Sequence, residues 1–515
     1  MKTTNKIIAV ICALTMLCTI FSISAVAARD VDYTITNPYE NVDWSWDQYK
    51  ADFHTHTNQS DGRDNLKDML EASYAYDYDI YAITDHGTTN YSWTESNVVP
   101  GLKLILSVRG DNNELVCLDE NGGYTFSGDE YGVETRVDEN GIASDYYYQV
   151  VNGVKGHEML RVPYGIENNP TSANNAHVNT WFVDYGNGIM GGTSEYETPI
   201  NAIEEINANL GENELHGLSV INHPGEYTNA RDEKYSADAY DLTDSYYSYC
   251  VDKFTSLLVN NPSCMGIDVN SKGDTRTRFD RKLWDLLLMN VVPTGRNVFG
   301  IATSDAHSVS AAFTGYTLML MEENTVANLQ KCMANGEFFA ASRYIGNYDE
   351  LREIRDYLAT QSDSESVAMA ETLTTMLDEH VSDQKPKYEA SVDSVAPHIN
   401  SITVNDTADT INIDVDNALC IRWIADGKTI AYGDEIDLDD YCNKIGSYVR
   451  AEIFGEGGIV YTQAFTLEYD EAPTADEDAG NFRDFGKLAG ILPDTVVRFL
   501  LGLDIFAILY EAIFG

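Results

Sequence analysis

The sequence predicts an α/β protein built around a parallel sheet, and two patterns lead to this prediction. Short apolar runs alternate with stretches of helical periodicity between residues 49 and 304, as in the successive βα units of parallel sheets. Histidine and carboxylate residues directly follow several of the apolar runs, and barrels of this class carry their active sites at the carboxyl ends of strands. The 515 residues, 43% of them hydrophobic, suffice for two or three domains with a sizeable core.

The elements of the first domain, predicted over residues 28–345, follow from periodicity. The helix at 65–78 places Leu66, Met69, Leu70 and Ser73 on one face. The stretch 90–160 breaks the alternation; its Gly, Asp, Asn and Tyr content indicates a β-rich insertion, either a wall or lid over a pocket or a surface hairpin. The predicted strands are 49–53, 80–84, 218–222, 265–270 and 298–304, and the predicted helices are 65–78, 246–259 and 278–289.

The second half of the chain changes periodicity twice. Residues 346–390 have helix-forming composition and predict a helical linker. Residues 391–472 alternate with period two between Gly, Asp and Asn turns, which predicts a small all-β sandwich used for packing or presentation. Residues 473–515 form an acidic linker and an apolar tail whose uncharged runs are too short to span a bilayer. An amphipathic helix is predicted there, docked on the barrel or in peripheral contact with a membrane.

The first residues predict a signal peptide over residues 1–27. Lys2 and Lys6 precede an apolar run at 7–23, and small residues then allow cleavage after Ala27 or Ala28. An uncleaved anchor is the alternative. The expected location is therefore secreted or cell-surface.

Charge and cysteine content exclude two classes of function. The net charge of −49 lacks the basic footprint of nucleic-acid binding, so no nucleic-acid partner is expected. The six cysteines after the signal peptide have no CxxC spacing, which argues against a structural zinc site. Cys420 with Cys442 and Cys250 with Cys264 are candidate disulfides, and buried free thiols are the alternative.

The residues that follow the strands have the pattern of a metal site. His54 and His56 are two apart, so on a strand both point to one face, and Asp305 and His307 repeat this spacing at the last strand of the alternation. A single histidine is weak evidence, but six of the ten histidines lie at or just beyond strand ends. The candidate metal ligands are His54, His56, Asp61, His86, Glu167, His177, His223, Asp305 and His307.

Six motifs together resemble the PHP family, named after polymerase and histidinol phosphatase. The match covers residues 50–345 in order and spacing, says less about 90–160 and nothing about the tail. The motifs are Asp52-Phe53-His54-Thr55-His56-Thr57, Ser60-Asp61-Gly62, Ile83-Thr84-Asp85-His86-Gly87, Gly165-Ile166-Glu167, Asn222-His223-Pro224-Gly225 and Thr303-Ser304-Asp305-Ala306-His307.

The resemblance implies a distorted (β/α)7 TIM-like barrel with two or three divalent ions of Zn, Mn or Fe. It assigns His54, His56, Glu167 and Asp305 to a first ion, Glu167, His177 and His223 to a second, and Asp61, His86 and His307 to a third. Some family members have histidine in place of Asp61, and the carboxylate here favours Mn or Fe over Zn.

The implied activity is hydrolysis of phosphate mono- or diesters by a metal-bridged hydroxide. Asp85, His86 or a water at the third ion is expected to supply a proton to the leaving group. Arg63, Lys272 and Arg276 are candidates for binding phosphate, with surface salt bridges as the alternative, and Glu226 is a candidate support for a ligand.

The expected substrates are small phosphorylated molecules or cell-envelope phosphodiesters. Alternatives are P–N or amide cleavage at the same site, or a non-catalytic surface binding protein with a structural metal site.

Overall fold

The computed structural model describes residues 31–93, 131–138, 140–168, 176–184, 199–228 and 240–469. The predicted signal peptide and the predicted acidic linker and apolar tail lie outside these residues. Within the described ranges, no helix has both the length and the hydropathy that a membrane span requires.

The described chain contains strands and helices throughout. The helices, numbered in chain order, are α1 Leu66–Ala75, α2 Pro199–Asn207, α3 Pro224–Thr228, α4 Ser245–Asn260, α5 Asp280–Val291, α6 Val326–Asn335, α7 Tyr348–Leu358 and α8 Ser364–Glu379. The strands are β1 Tyr33–Thr36, β2 Asp47–Asp52, β3 Ile80–Tyr81, β4 Tyr131–Val137, β5 Ala143–Val151, β6 Val154–Arg161, β7 Ile166–Asn168, β8 His177–Trp181, β9 Leu218–Asn222, β10 Cys264–Asn270, β11 Phe299–Ala302, β12 Gly315–Met321, β13 Phe338–Ser342, β14 Tyr344–Ile345, β15 Tyr388–Glu389, β16 His398–Asn405, β17 Thr410–Asp416, β18 Cys420–Ala425, β19 Lys428–Tyr432, β20 Glu435–Asp437, β21 Tyr448–Gly455, β22 Gly458–Tyr461 and β23 Phe465–Tyr469.

Two sheets carry the region in which the sequence predicts a parallel sheet. One has the order β11-β10-β9-β8-β7, and the other runs β1-β23-β21-β22-β13-β12-β2-β3-β6-β5-β4. The pairs β2–β3, β3–β6, β9–β10 and β10–β11 are parallel. The mixed α/β class is therefore confirmed.

The two sheets approach each other at the carboxyl ends of their parallel strands. A single parallel bridge joins Thr55, beyond β2, to Ala306, beyond β11. A second one joins His86, beyond β3, to Glu167 in β7. These are single bridges and not continuous ladders, so the distorted (β/α)7 barrel stays a prediction.

The regular βα alternation is interrupted at β7 and β8. These strands form an antiparallel pair with Glu167 opposite Asn179, and β8 is also antiparallel to β9. The connection from Asn168 to His177 is shorter than the dozen or more residues that a parallel crossover needs. So short a connection is compatible with the reversal of direction that the structure shows here.

The insertion extends the larger sheet where the structure describes it. Strands β4, β5 and β6 are antiparallel neighbours, and β6 joins β3 in parallel. Tyr147 and Met159 on these strands are buried. Most of the predicted insertion before β4 lies outside the described residues.

The C-terminal strands join the same sheet as the first half of the chain. Strand β22 pairs with β13, placing Val460 opposite Ala341, and β23 pairs with β1. A separate three-stranded sheet, β16-β17-β20, packs against it, and Ile411 and Trp423 share one hydrophobic cluster. Helices α7 and α8, in the predicted linker, bury an apolar face. The domain boundaries themselves stay a prediction.

The cysteines of the described residues are thiols. Cys250, Cys264, Cys332 and Cys420 are buried and Cys442 is half-buried. Cys420 and Cys442, and likewise Cys250 and Cys264, are therefore free thiols and not disulfides. Cys117 lies outside the described ranges.

Candidate metal centre

The predicted ligands come together where the two sheets approach. Most follow the carboxyl ends of parallel strands, which meet at one edge. His177 begins β8 instead, but β8 runs antiparallel and sets His177 opposite Asn222, next to His223. Reversing the strand thus puts its first residue at the same edge as its neighbours' last residues.

Glu167 lies at the centre of the group, and its Oε2 atom faces three imidazole rings. This oxygen is 3.0 Å from Nε2 of His56, 3.1 Å from Nε2 of His54 and 3.3 Å from Nδ1 of His86. Glu167 is 1% exposed. Three ring nitrogens therefore converge on one buried carboxylate oxygen.

The other oxygen of Glu167 faces two further rings. Oε1 lies 2.8 Å from Nδ1 of His177 and 3.1 Å from Nε2 of His223. The side-chain amide of Asn222 also donates to it, at 3.3 Å. This contribution of Asn222 was missed in the sequence, because nothing in a strand-end asparagine indicates which oxygen it will bind.

Asp305 is the second buried carboxylate of the group. Its Oδ1 lies 3.2 Å from Nε2 of His56 and 3.4 Å from Nε2 of His54. Its Oδ2 lies 3.4 Å from Nε2 of His223 and 2.7 Å from Nζ of Lys272. Asp305 therefore faces imidazole rings with both oxygens, and its Oδ2 atom also faces the ammonium of Lys272.

Asp61 closes the more open side. Its Oδ2 is 3.2 Å from Nε2 of His307 and 3.7 Å from Nε2 of His86, and its Oδ1 is 3.5 Å from Nδ1 of His56. The side chains of Asp61, His86 and His307 are 28%, 27% and 34% exposed, whereas that of His56 is fully buried. Solvent therefore reaches the cluster from this side.

The donor atoms fit a multinuclear site for divalent ions. The Nε2 atoms of His54 and His56 lie 3.1 Å apart, so both rings could contribute a nitrogen to one divalent ion. Imidazole and carboxylate donors suit Zn, Mn and Fe. Four groups, each with its ligand atoms within 4.8 Å of one another, are His54–Glu167–His223–Asp305, His56–Asp61–His86, His56–Asp305–His307 and His86–Glu167–His177.

These four groups contain every metal ligand that the sequence predicts, but they divide them differently. The resemblance assigns His54 and His56 to one ion, whereas the geometry groups His54 with His223. It also groups His177 with His86. Which ion each residue holds stays a prediction.

The electrostatics favour the protonation states that bind metal. Burial alone would raise the pKa of Glu167 and Asp305, but neighbouring histidines, foremost His54, hold both values well below their usual range. Burial lowers the pKa of His86 and of His223 to about 4. At pH 7 these carboxylates are ionised and these two imidazoles are neutral.

His56 departs from this pattern. Burial lowers its pKa, but Asp305 and Glu167 outweigh that effect and raise it well above the usual range. Without an ion, a proton on His56 therefore compensates the two carboxylates. Metal binding must displace that proton.

Two of the clustered residues have a strained backbone. His223 has a φ of +25° and Asp305 a φ of +47°, values that residues other than glycine rarely adopt. Such conformations cost about 1–3 kcal/mol each and persist where the surrounding structure holds them, which is common at functional sites.

Of the residues predicted to be catalytic, Asp85 contacts a turn beside the cluster. Its carboxylate accepts hydrogen bonds from Thr57 N at 2.7 Å, from Thr57 Oγ1 at 2.6 Å and from Ser60 Oγ at 2.6 Å. Asp85 is 1% exposed. These contacts hold the turn between His56 and Asp61, so they suit a positioning role; proton donation by Asp85 stays a prediction.

The three candidate phosphate-binding residues lie in different surroundings. Arg63 is exposed, and its backbone N–H donates to the carbonyl of His307 at 2.8 Å. Arg276 is 55% exposed and pairs with Glu226. Lys272 is 25% exposed and bridges Glu226 and Asp305. Lys272 is thus the candidate in contact with the cluster.

Glu226 lies between Lys272 and the predicted ligand His223. Its Oε2 lies 3.6 Å from Nδ1 of His223 and 2.5 Å from Nζ of Lys272. A carboxylate behind a metal-binding histidine fixes the orientation of the ring. Glu226 lies close to the His223 ring, and its role as a support for this ligand stays a prediction.

Comparisons with known proteins find similar structures. No family model and no curated protein matches the chain. PsfC from Pseudomonas syringae matches with a TM-score of 0.31 and 11% identity, over 65% of this chain and 99% of that chain. A two-domain protein from Bacteroides vulgatus, described as containing a predicted PHP-like metal-dependent phosphoesterase, matches with a TM-score of 0.31 and 13% identity, over 84% of this chain and 93% of that one. The lesion-specific endonuclease PfuEndoQ from Pyrococcus furiosus matches with a TM-score of 0.29 and 13% identity, over 56% of each chain. At such similarity, function is inferred from the residues of this chain.

Proposed function

We propose that this chain is a metal-dependent hydrolase of the PHP type that cleaves phosphate mono- or diesters. The observation that carries the proposal is Glu167, whose two oxygens contact five imidazole rings. A structural site needs no more than four ligands around one ion. A carboxylate shared by five histidines instead supports two or three divalent ions of Zn, Mn or Fe.

Exposure of one side of the cluster favours catalysis over a purely structural site. Structural sites are closed, whereas catalytic sites keep an open position for water or substrate. His86 and His307 are about one-quarter and one-third exposed, while His54 and His223 are buried. This observation also speaks against a non-catalytic binding protein. P–N or amide cleavage remains the alternative reaction at the same site.

Bound divalent ions would supply Lewis acidity and an activated water near neutral pH. The chain's own residues would do the rest. Lys272 lies beside Asp305 and would contact an anionic oxygen of the substrate. His86, which is partly exposed, would place a ring nitrogen either on an ion or next to the leaving group. Asp85 would hold the turn that presents Asp61.

We also propose that the reaction takes place outside the cytoplasm, on small phosphorylated molecules or envelope phosphodiesters. Support comes from the signal-like first residues and from the net charge of −49, which disfavours nucleic acid. Peripheral membrane contact through the apolar tail belongs to the same proposal.

The test measures metal content and turnover of residues 29–515, the chain without the predicted signal peptide. Zn, Mn and Fe are quantified, and hydrolysis of p-nitrophenyl phosphate and bis-p-nitrophenyl phosphate is followed for wild type and His54→Ala. His216→Ala is the matched control, because His216 is half-buried, lies outside the set of predicted ligands and bonds the carbonyl of Gly211 through its ring. Two or three ions per chain with turnover lost only in His54→Ala support the proposal. Bound metal without turnover on either ester would favour another leaving group, and absence of metal after reconstitution would refute the ligand assignment.

A further inference from the structure

Lys272 lies on a turn of unusual backbone geometry. Lys272, Gly273 and Asp274 have φ of +51°, +60° and +53°. Only the middle residue is glycine, so two side-chain-bearing residues occupy the left-handed region. The turn must therefore be held by its surroundings.

The carboxylate of Asp274 provides that hold. Arg281 donates from Nη1 to Oδ1 at 2.9 Å and from Nη2 to Oδ2 at 2.8 Å, a bidentate pair that fixes both distance and orientation. The backbone N–H of Gly346 donates to Oδ2 at 2.7 Å. A Cβ at position 346 would lie 2.0 Å from the Asp274 carbonyl oxygen, so only glycine permits this approach. Both Asp274 and Arg281 are buried.

Arg281 is itself held from the side of the C-terminal half. Its Nε donates to Glu350, on α7, at 2.9 Å. Glu350 lies 3.9 Å from Arg422 on β18, and Arg422 pairs with Glu452 on β21. Arg422 and Glu452 are buried. A line of charged side chains, all buried except the partly exposed Glu350, thus runs from Asp274 into the C-terminal sheet.

A second tie connects the same sheet to helix α5, which carries Arg281. Arg450 on β21 donates from Nε and Nη2 to Asp285 at 2.8 and 2.9 Å, and Tyr448 donates to Asp285 at 2.8 Å. The side-chain amide of Asn270, at the end of β10, lies 3.2 Å from the hydroxyl of Tyr461. The C-terminal strands therefore support both elements that flank the turn.

We infer that Asp274, clamped by Arg281, is a positioning residue for Lys272, and that strands β18 and β21 complete this support. The C-terminal half then belongs to the reactive site and is not a separate presenting module. A buried ion pair is weak evidence for a stabilising role, since apolar replacements often serve as well. The ion pair between Asp274 and Arg281 is instead explained by its position, because it holds the strained turn that carries Lys272. The part played by Lys272 toward substrate rests on the proposed function.

The test uses Asp274→Asn, Lys272→Met and the double variant of the full mature chain. Acetylation of Lys272 by acetic anhydride is followed by mass spectrometry, and inorganic phosphate binding to the metal-loaded chain is titrated calorimetrically. Asp274→Asn is expected to raise the labelling rate of Lys272 several-fold and to weaken phosphate binding roughly 10-fold, as for other groups that orient a site. In the Lys272→Met background, Asp274→Asn should cause no further loss of phosphate affinity. Lys155, exposed on β6, is the control lysine and should keep its labelling rate.

Each other outcome decides a different question. Unchanged labelling of Lys272 in Asp274→Asn overturns the positioning role, and so does an additive loss in the double variant. Faster labelling in a chain whose wild type binds no phosphate leaves the positioning role standing and refutes the proposed function. If Asp274→Asn does not fold, Arg281→Lys replaces it, since lysine keeps the charge and loses the bidentate fork.

Discussion

Replacing Glu167 with glutamine keeps the shape of the side chain and removes the negative charge that five imidazole rings share. Two unit charges about 4 Å apart attract each other by about 4 kcal/mol at an effective dielectric constant of 20. A divalent ion held by this carboxylate loses at least that much attraction. Since about 1.4 kcal/mol is a factor of ten in affinity, binding should weaken by roughly a thousandfold.

The affinity is measured by competition with a chromogenic chelator, and the stoichiometry by mass spectrometry of the eluted metals. Glu134→Gln is the matched control. This substitution removes the same negative charge, but from an exposed ion pair with Arg136 and Lys155. This control should bind metal like wild type. Equal affinity and stoichiometry in Glu167→Gln and wild type would refute the placement of Glu167 at the centre of the site.

Three further predictions concern stability. Burial lowers the pKa of Lys50 from 10.5 to about 7, so the unfolded chain binds more protons between these values and the free energy of unfolding rises with pH across that window. Lys50→Met should therefore be more stable than wild type at pH 7, by a margin that shrinks toward pH 10 in urea titrations; a constant margin would mean that the surrounding rings offset the burial. Arg450→Met leaves Asp285 and Glu452 buried without this partner and should cost about 3–5 kcal/mol in the same titrations, whereas a loss below 1 kcal/mol would contradict the buried pairing. Metal at a hundredfold excess over its Kd should stabilise the chain by about 2.7 kcal/mol, and a melting temperature indifferent to chelator would argue against a site.

The candidate site could be gathered from the sequence because its ligands follow a simple local rule. In this fold class, residues at the carboxyl ends of the parallel strands meet at one end of the domain, so His54, His86 and His223 could be grouped from apolar periodicity alone. Glu167 and His177 were also candidates from the sequence, but no periodic strand precedes them, and the resemblance supported them. Their short strands, β7 and β8, are formed by few residues, and periodicity has little to act on there.

Contacts made by side chains over long separations could not be read in this way. Lys272 is one of three basic residues with equal claims in the sequence, and only the fold brings it to Asp305. The hydrogen bonds of Asp85 to Thr57 and Ser60 likewise depend on how the turn after β2 closes over β3. Such pairings depend on how distant segments pack, and the spacing of residues in the sequence does not specify the partner.

The sequence by itself determined the α/β class, the positions along the chain of most strands that carry the ligands, and the chemical character of the cluster. Those properties depend on local periodicity and on side-chain type, which each segment carries alone. Only the tertiary structure decided that β8 runs antiparallel and brings His177 to the shared edge. It also decided that β22 pairs with β13 and joins the C-terminal strands to the first half of the chain. Strand pairing between distant segments satisfies backbone hydrogen bonds and buries side chains at once, and only the complete fold sets which partners achieve both.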